Sequence, residues 1–213
     1  MEKHFIDNKS DELILFFTGW GCDEHEFEHL KTHSDLLLLY NYLDLDLDFD
    51  FSKYKEINLL AFSAGVFAAS VINFDFKINK KIALSGNPYL FDEELGLSKE
   101  SQNILCNITE DNADDFARNF LIKTDEEYKK FHNSNRTLIS CQREFEALKE
   151  LYKNNKQNIK NIFDIALIGA DDPFFKPTKQ AEYYKNKLKI IKNARHNMFF
   201  RTDNYCDIIN CNL

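Results

Sequence analysis

Six apolar runs of strand length, recurring between helix-like stretches, constrain this 213-residue chain more than any other feature. They cover residues 13–17, 36–40, 57–62, 81–85, 164–168 and 188–191, and each ends at or shortly before a Gly, Asn, Asp or Ser. Such alternation predicts an α/β protein whose mostly parallel central sheet is buried by helices on both faces. In sheets of this kind the functional loops follow the C-terminal ends of the strands, so the search for chemistry concentrates there.

Between about residues 92 and 160 the strand signal gives way to charged, helical sequence such as Arg143-Glu-Phe-Glu-Ala-Leu-Lys-Glu-Leu-Tyr152. With no linker-like composition on either side, this reads as a small helical cap inserted into one domain spanning residues 1–213. The charge is uneven: the chain is −8 in all, but residues 118–160 carry 10 basic against 6 acidic side chains. A net negative chain argues against a nucleic-acid partner, since neutralising phosphates takes clustered Lys and Arg. Residues 43–51 alternate Leu or Phe with Asp, which predicts an extended segment with its acids toward water. No basic leader followed by an apolar run opens the sequence, and no stretch approaches the ~18 apolar residues of a membrane span, so a cytoplasmic protein is expected. Five cysteines with no C-x-x-C pair suggest reduced thiols rather than a disulfide framework or a structural zinc site.

The chemistry is concentrated where a strand meets a helix. Residues 57–62 lead into Ala61-Phe-Ser-Ala-Gly65 and then into the apolar run 66–72, a strand, sharp turn and helix with Ser63 at the turn. This is the context of a nucleophile elbow, G-x-S-x-G, with Ala61 in place of the first glycine. A serine nucleophile needs a histidine base and a carboxylate to orient it, in the chain order Ser, Asp or Glu, His. After the strand at 164–168 come Gly169 and the pair Asp171 and Asp172, and after the strand at 188–191 comes His196. Of six histidines (His4, His25, His29, His33, His132 and His196), only His196 follows the last strand. The expected triad is Ser63, Asp172 and His196, with Asp171 as the alternative acid; Asp172 is preferred because it stands three residues after Gly169 and before Pro173.

An acyl-transfer site also needs two backbone donors for the oxyanion. Ala64, next to the nucleophile, offers one, and Trp20, between Gly19 and Gly21 after the first strand, offers the other. A competing motif, His25-Glu-Phe-Glu-His29, matches the H-E-x-x-H zinc signature, and His33 continues its face if the segment is helical. It is rejected for want of a third ligand on a following helix, so neither a metal nor another cofactor is expected.

The loop Phe17-Thr-Gly-Trp-Gly21, the elbow Ala61-Phe-Ser-Ala-Gly-Val66, the stretch Leu84-Ser-Gly-Asn-Pro88 and the late His196 together resemble the BioG-type pimeloyl-[acyl-carrier protein] methyl ester esterases. That family's elbow usually reads A-W-S-x-G-V, so Phe62 departs from it conservatively. The resemblance implies an α/β-hydrolase fold, hydrolysis of a pimeloyl methyl ester in biotin synthesis, and acyl carrier protein as partner. It also implies that the Gly19-Trp20-Gly21 loop takes part in binding the substrate. Because that carrier is acidic, the basic segment is a candidate docking surface, with Arg118, Lys123, Arg136 and Arg143 as first choices. Other readings are a different acyl hydrolase, such as a thioesterase or general carboxylesterase, and a non-catalytic binding protein on the same fold.

Overall fold

In the computed structural model, which describes residues 1–131 and 134–213, the six apolar runs all form strands of one sheet. His132 lies outside the described residues. The strands are β1 (Glu2–Ile6), β2 (Glu12–Phe17), β3 (Asp35–Tyr40), β4 (Glu56–Phe62), β5 (Lys80–Leu84), β6 (Ile165–Gly169) and β7 (Leu188–Ile191). Their spatial order is β1-β3-β2-β4-β5-β6-β7, and every pairing is parallel except β1 with β3. β1 has no counterpart among the sequence expectations because Glu-Lys-His-Phe-Ile carries no apolar run. It is an exposed edge strand, held by its ladder from Glu2 opposite Tyr40 to Ile6 opposite Leu36.

Side chains alternate across a strand, so a sheet covered on both faces needs apolar residues at every position. β2 shows this: Leu13, Leu15 and Phe17 enter one core, while Ile14 and Phe16 enter the other. The first core is closed by α1 (Ala64–Val71) and by the inward face of the longest helix, described below. The second is closed by Met198 to Phe200 and by the C-terminal helix. Residues 43–51 run extended without joining the sheet: Asp44, Asp46, Asp48 and Asp50 are exposed, while Leu45, Leu47, Phe49 and Phe51 pack against the first core.

Four helices, α2 (Lys99–Cys106), α3 (Ala113–Phe116), α4 (Asp125–Lys130) and α5 (Leu138–Asn155), lie in sequence between β5 and β6. α3 continues into a wide turn, Ala117–Leu121. In α5, Cys141, Glu144, Phe145 and Leu148 form the buried stripe, the i, i+3, i+4, i+7 spacing of an amphipathic helix. α6 (Pro177–Tyr184) follows β6, and α7 (Tyr205–Ile209) ends the chain's regular structure. No helix among the described residues is long and apolar enough to cross a membrane.

The opposite end of the sheet from the elbow is tied by one carboxylate. Asp35 is buried at the start of β3; its Oδ1 accepts the amides of Asn8 (2.9 Å) and Ser10 (3.0 Å), and its Oδ2 accepts Lys53 Nζ (2.8 Å) and the Tyr54 hydroxyl (2.9 Å). Burial pushes its pKa up, but the bonds from Lys53, Ser10 and Tyr54 outweigh it and hold the value at about 2. A depressed carboxylate stabilises the fold above its ordinary range, and that contribution drains away as pH falls from about 4 toward 2. Asp35→Ala should lower stability by about 3 kcal/mol in urea titrations at neutral pH. The difference between variant and native protein should shrink across that acid window.

Candidate active site

Ser63 occupies the single residue between the end of β4 and the start of α1, with φ 51° and ψ −117°. A non-glycine residue held in such a region costs on the order of 1–3 kcal/mol, so the surroundings must enforce it. The Ser63 amide donates to Leu84 O on β5 (3.0 Å), and its carbonyl accepts the Val66 amide (3.1 Å). Gly65 is demanded by close approach: a Cβ there would lie 2.3 Å from Phe17 O and 2.5 Å from Thr18 O at the end of β2. α1 therefore abuts the sheet backbone directly, and the Ser63 side chain is turned out at the strand ends.

His196 sits in the loop after β7, and its Nε2 is 3.0 Å from Ser63 Oγ. Its Nδ1 is 3.0 Å from Asp172 Oδ2, in the turn after β6. The other Asp172 oxygen accepts the amides of Phe174 (2.9 Å) and Phe175 (3.0 Å), which fixes the carboxylate. The imidazole stacks on Phe175 at 5.8 Å and meets Phe174 edge-on at 5.1 Å, with Phe62 on another side at 5.0 Å. His196 and Asp172 are both buried, so the polar chain runs through an apolar cage where each hydrogen bond is strengthened. Asp171 has a different neighbour: its half-exposed carboxylate pairs with Lys123 Nζ at 3.1 Å.

The loop after β2 carries Gly19, Trp20 and Gly21. Gly19 and Trp20 line the same cavity as Ser63 and Ala64, and Gly21 has φ +76°, a backbone state that favours glycine. The Ala64 amide is the first of α1 and has no acceptor inside the helix; among the described residues neither it nor the Trp20 amide has a partner. The loop is held from α5. Glu144, fully buried, accepts the Gly21 amide on Oε2 (3.0 Å) and the Tyr42 amide on Oε1 (2.9 Å). Arg136 Nη1 donates to Glu144 Oε2 (2.5 Å) and Arg136 Nη2 to Asn41 Oδ1 (2.8 Å), while the Trp20 indole donates to Cys141 O (2.6 Å).

Arg136 thus corrects one expectation. Its side chain is 8% exposed and committed to a buried ion pair, so it is no part of a surface for an acidic partner. The sequence hides this because Arg136 stands in a basic run whose other members stay outside. Arg118 is exposed, 3.3 Å from Asp114 Oδ2, with its guanidinium over the Tyr128 ring, and Lys123 pairs with Asp171. Arg143 is exposed on α5.

The H-E-x-x-H segment does not form the helix that the zinc geometry requires. Glu24–Phe27 is a single 3-10 turn, so His33 cannot continue its face. His25 Nδ1 faces Asp23 at 3.2 Å, while His29 Nε2 faces Phe199 O at 3.2 Å and its ring stacks on Phe200. The middle of that turn matters for another reason. Glu26 is buried and lines the cavity with Ser63, and no periodicity argument distinguishes it from its exposed neighbour Glu28.

Comparison with known proteins bears on family and fold. The family model for pimeloyl-ACP methyl esterase BioG matches residues 1–207. The crystal structure of BioG from Haemophilus influenzae superposes with a TM-score of 0.83 at 28% identity, covering 98% of this chain and 100% of that one. A lipase-esterase related protein from Clostridium acetobutylicum shares the fold at 19% identity, with a TM-score of 0.65 and 93% of each chain covered. The chain is also 31% identical over 186 residues to a malonyl-[acyl-carrier protein] O-methyltransferase from Bacteroides fragilis, covering 82% of this chain and 36% of that protein's length. The architecture is that of an α/β hydrolase.

Because Glu144 and Arg136 are buried together, removing either strands the other. Arg136→Met and Glu144→Leu should each cost about 3 kcal/mol, and the double variant should cost less than their sum by about 2 kcal/mol. Urea denaturation of the four proteins in the cycle measures that coupling.

Proposed function

The chain belongs to the BioG family of pimeloyl-ACP methyl esterases, and from that premise we propose that it is a serine carboxylesterase that hydrolyses pimeloyl-[acyl-carrier protein] methyl ester to the acid and methanol in biotin synthesis. The observation that carries this reading is the continuous hydrogen-bonded chain from Ser63 Oγ through His196 to Asp172, with both contacts at 3.0 Å.

The chemistry follows from that geometry. His196 Nε2 takes the proton of Ser63 as the hydroxyl oxygen attacks the ester carbonyl, and the imidazolium is stabilised by the Asp172 carboxylate at Nδ1. The developing oxyanion is met by the free amides of Trp20 and Ala64, donors fixed before the reaction begins. His196 then returns the proton to the departing methoxide, and methanol leaves an acyl group on Ser63. Water, deprotonated by the same imidazole, attacks that acyl group and restores the serine.

Asp172 is the triad acid in this reading, and Asp171 is a surface partner of Lys123. Helices α2 to α5 act as a cap over the strand ends, forming much of the apolar wall against which an acyl chain packs. Carrier protein would approach this cap, where Arg118, Lys123 and Arg143 remain as candidate contacts.

Ser63→Ala should reduce hydrolysis of methyl pimeloyl-carrier protein by several orders of magnitude, on the order of 10⁴-fold or more, with the urea midpoint little changed. A folded Ser63→Ala variant with native activity would end the proposal. Asp172→Asn should cut kcat by about 10³ to 10⁴-fold, whereas Asp171→Asn should stay within about threefold of the native enzyme. Equal losses would remove the distinction between the two acids. Assaying the carrier's thioester bond alongside its methyl ester separates this reaction from thioester hydrolysis.

A further inference from the structure

Two cavities meet at the candidate site. The inner one, of about 80 Å³, holds Ser63 and His196, and the outer one, of about 400 Å³, is lined by residues from Ile108 to Phe131 and from Ser134 to Cys141 together with Trp20, Gly21 and Glu26. They share four lining residues: Trp20, Glu26, Phe116 and Leu121. Three of these are apolar or aromatic, so a chain that reaches Ser63 from the outer cavity passes a greasy neck with one carboxyl group in its wall.

That carboxyl is incompletely satisfied. Glu26 is 6% exposed, and its Oε2 is buried with no hydrogen-bond partner among the described residues. Leaving such an atom unpaired costs roughly 1–3 kcal/mol and more if it carries charge, which favours the protonated acid, and it is the other oxygen of the carboxyl that is left for a ligand in the neck. The obvious internal cation is spent: Arg136 already donates to Glu144, Asn41 and Ser140. Burial favours the neutral acid and pushes its pKa up to about 7, with the nearby Asp23 carboxylate adding to the rise against the Cys22 thiol, the Asp23 amide and Arg136. A neutral carboxylic acid has one O–H to give, and an apolar neck favours a neutral acceptor over an ion.

We propose that Glu26 is a specificity-determining residue whose buried carboxyl donates a hydrogen bond to a carbonyl carried on the acyl chain, distal to the ester that Ser63 attacks. The ligand class is a linear ester bearing a second, neutral carbonyl such as a thioester or amide. This rests on the esterase reading. It adds a reason for the enzyme to discriminate between a chain that continues into a carrier arm and a plain fatty ester of equal length.

The test uses two soluble methyl esters of matched length: one whose far end is an N-acetylcysteamine thioester, and one whose far end is a saturated hydrocarbon. The native enzyme should favour the thioester-bearing substrate by about tenfold in kcat/KM, the size of one net hydrogen bond. Glu26→Leu should lower that ratio at least fivefold, and Glu26→Gln, which keeps an N–H donor, should hold it within about twofold. Glu26→Met provides a second apolar replacement, and because the readout is a ratio, general damage to the site cancels. An unchanged ratio in the Leu and Met variants overturns the assignment, as does a native enzyme indifferent between the two esters. A native enzyme that hydrolyses neither ester overturns the esterase reading and this inference with it.

Discussion

At Ser63 the chain must leave a buried central strand and enter a buried helix within one residue, and this confinement organises everything around it. A turn that abrupt leaves no room for side chains on the inner side, hence Ala61 before it and Gly65 after it, the latter within reach of the β2 carbonyls. It also sets which strand ends are useful. β6 and β7 lie on one side of β4 beyond β5, and the turns that follow them deliver His196 to the half-buried Ser63 hydroxyl and Asp172 to His196; β2 lies on the other side and delivers the Gly19-Trp20-Gly21 loop. The backbone strain at Ser63 is borne by this sheet, whose core positions are almost entirely shielded from water.

The second constraint ties α5 to the loop after β2. Loops at strand ends are mobile unless something holds them, and here the holding group comes from more than 120 residues away in sequence. One carboxylate, Glu144, gathers the amides of Gly21 and Tyr42 together with the Arg136 guanidinium. A buried ion pair is a poor source of net stability, because desolvation consumes most of its attraction. Its value lies in direction: it fixes the distance between α5 and the loop after β2, and so couples the helical insertion to the backbone donors beside Ser63.

What the sequence discloses divides along physical lines. The five inner strands, β2 to β6, were legible because a sheet buried on both faces demands apolar runs. The second edge strand, β7, was legible only from the short run Leu188-Lys-Ile-Ile191, of which Ile191 alone is buried, and the acid-to-water alternation of residues 43–51 was legible from its period of two. The chain order of Ser63, Asp172 and His196 was legible because each follows a strand end. β1 was not, since an edge strand lives on backbone pairing and tolerates Glu, Lys and His. Arg136 and Glu144 were not, since a charged residue announces itself as surface until the groups that would bury it are known. Their partners, Asn41, Tyr42 and Gly21, belong to loops about 100 residues away.

The H-E-x-x-H segment shows why a motif of residue types is incomplete without its backbone. The spacing places two imidazoles on one face only over a regular α-helical turn and more. Here a 3-10 turn of four residues, capped by the Asp23 side chain, ends before the second histidine. His25 and His29 consequently turn to separate neighbours, and Glu26, the residue that the zinc reading would make its general base, is driven inward beside Cys22 and Trp20. The same short turn that denies the metal site its geometry therefore supplies the cavity wall with a buried carboxyl, one oxygen of which has no partner among the described residues. Local backbone form, more than residue identity, decides which of the acids in this stretch meets water and which meets the cavity that holds Ser63.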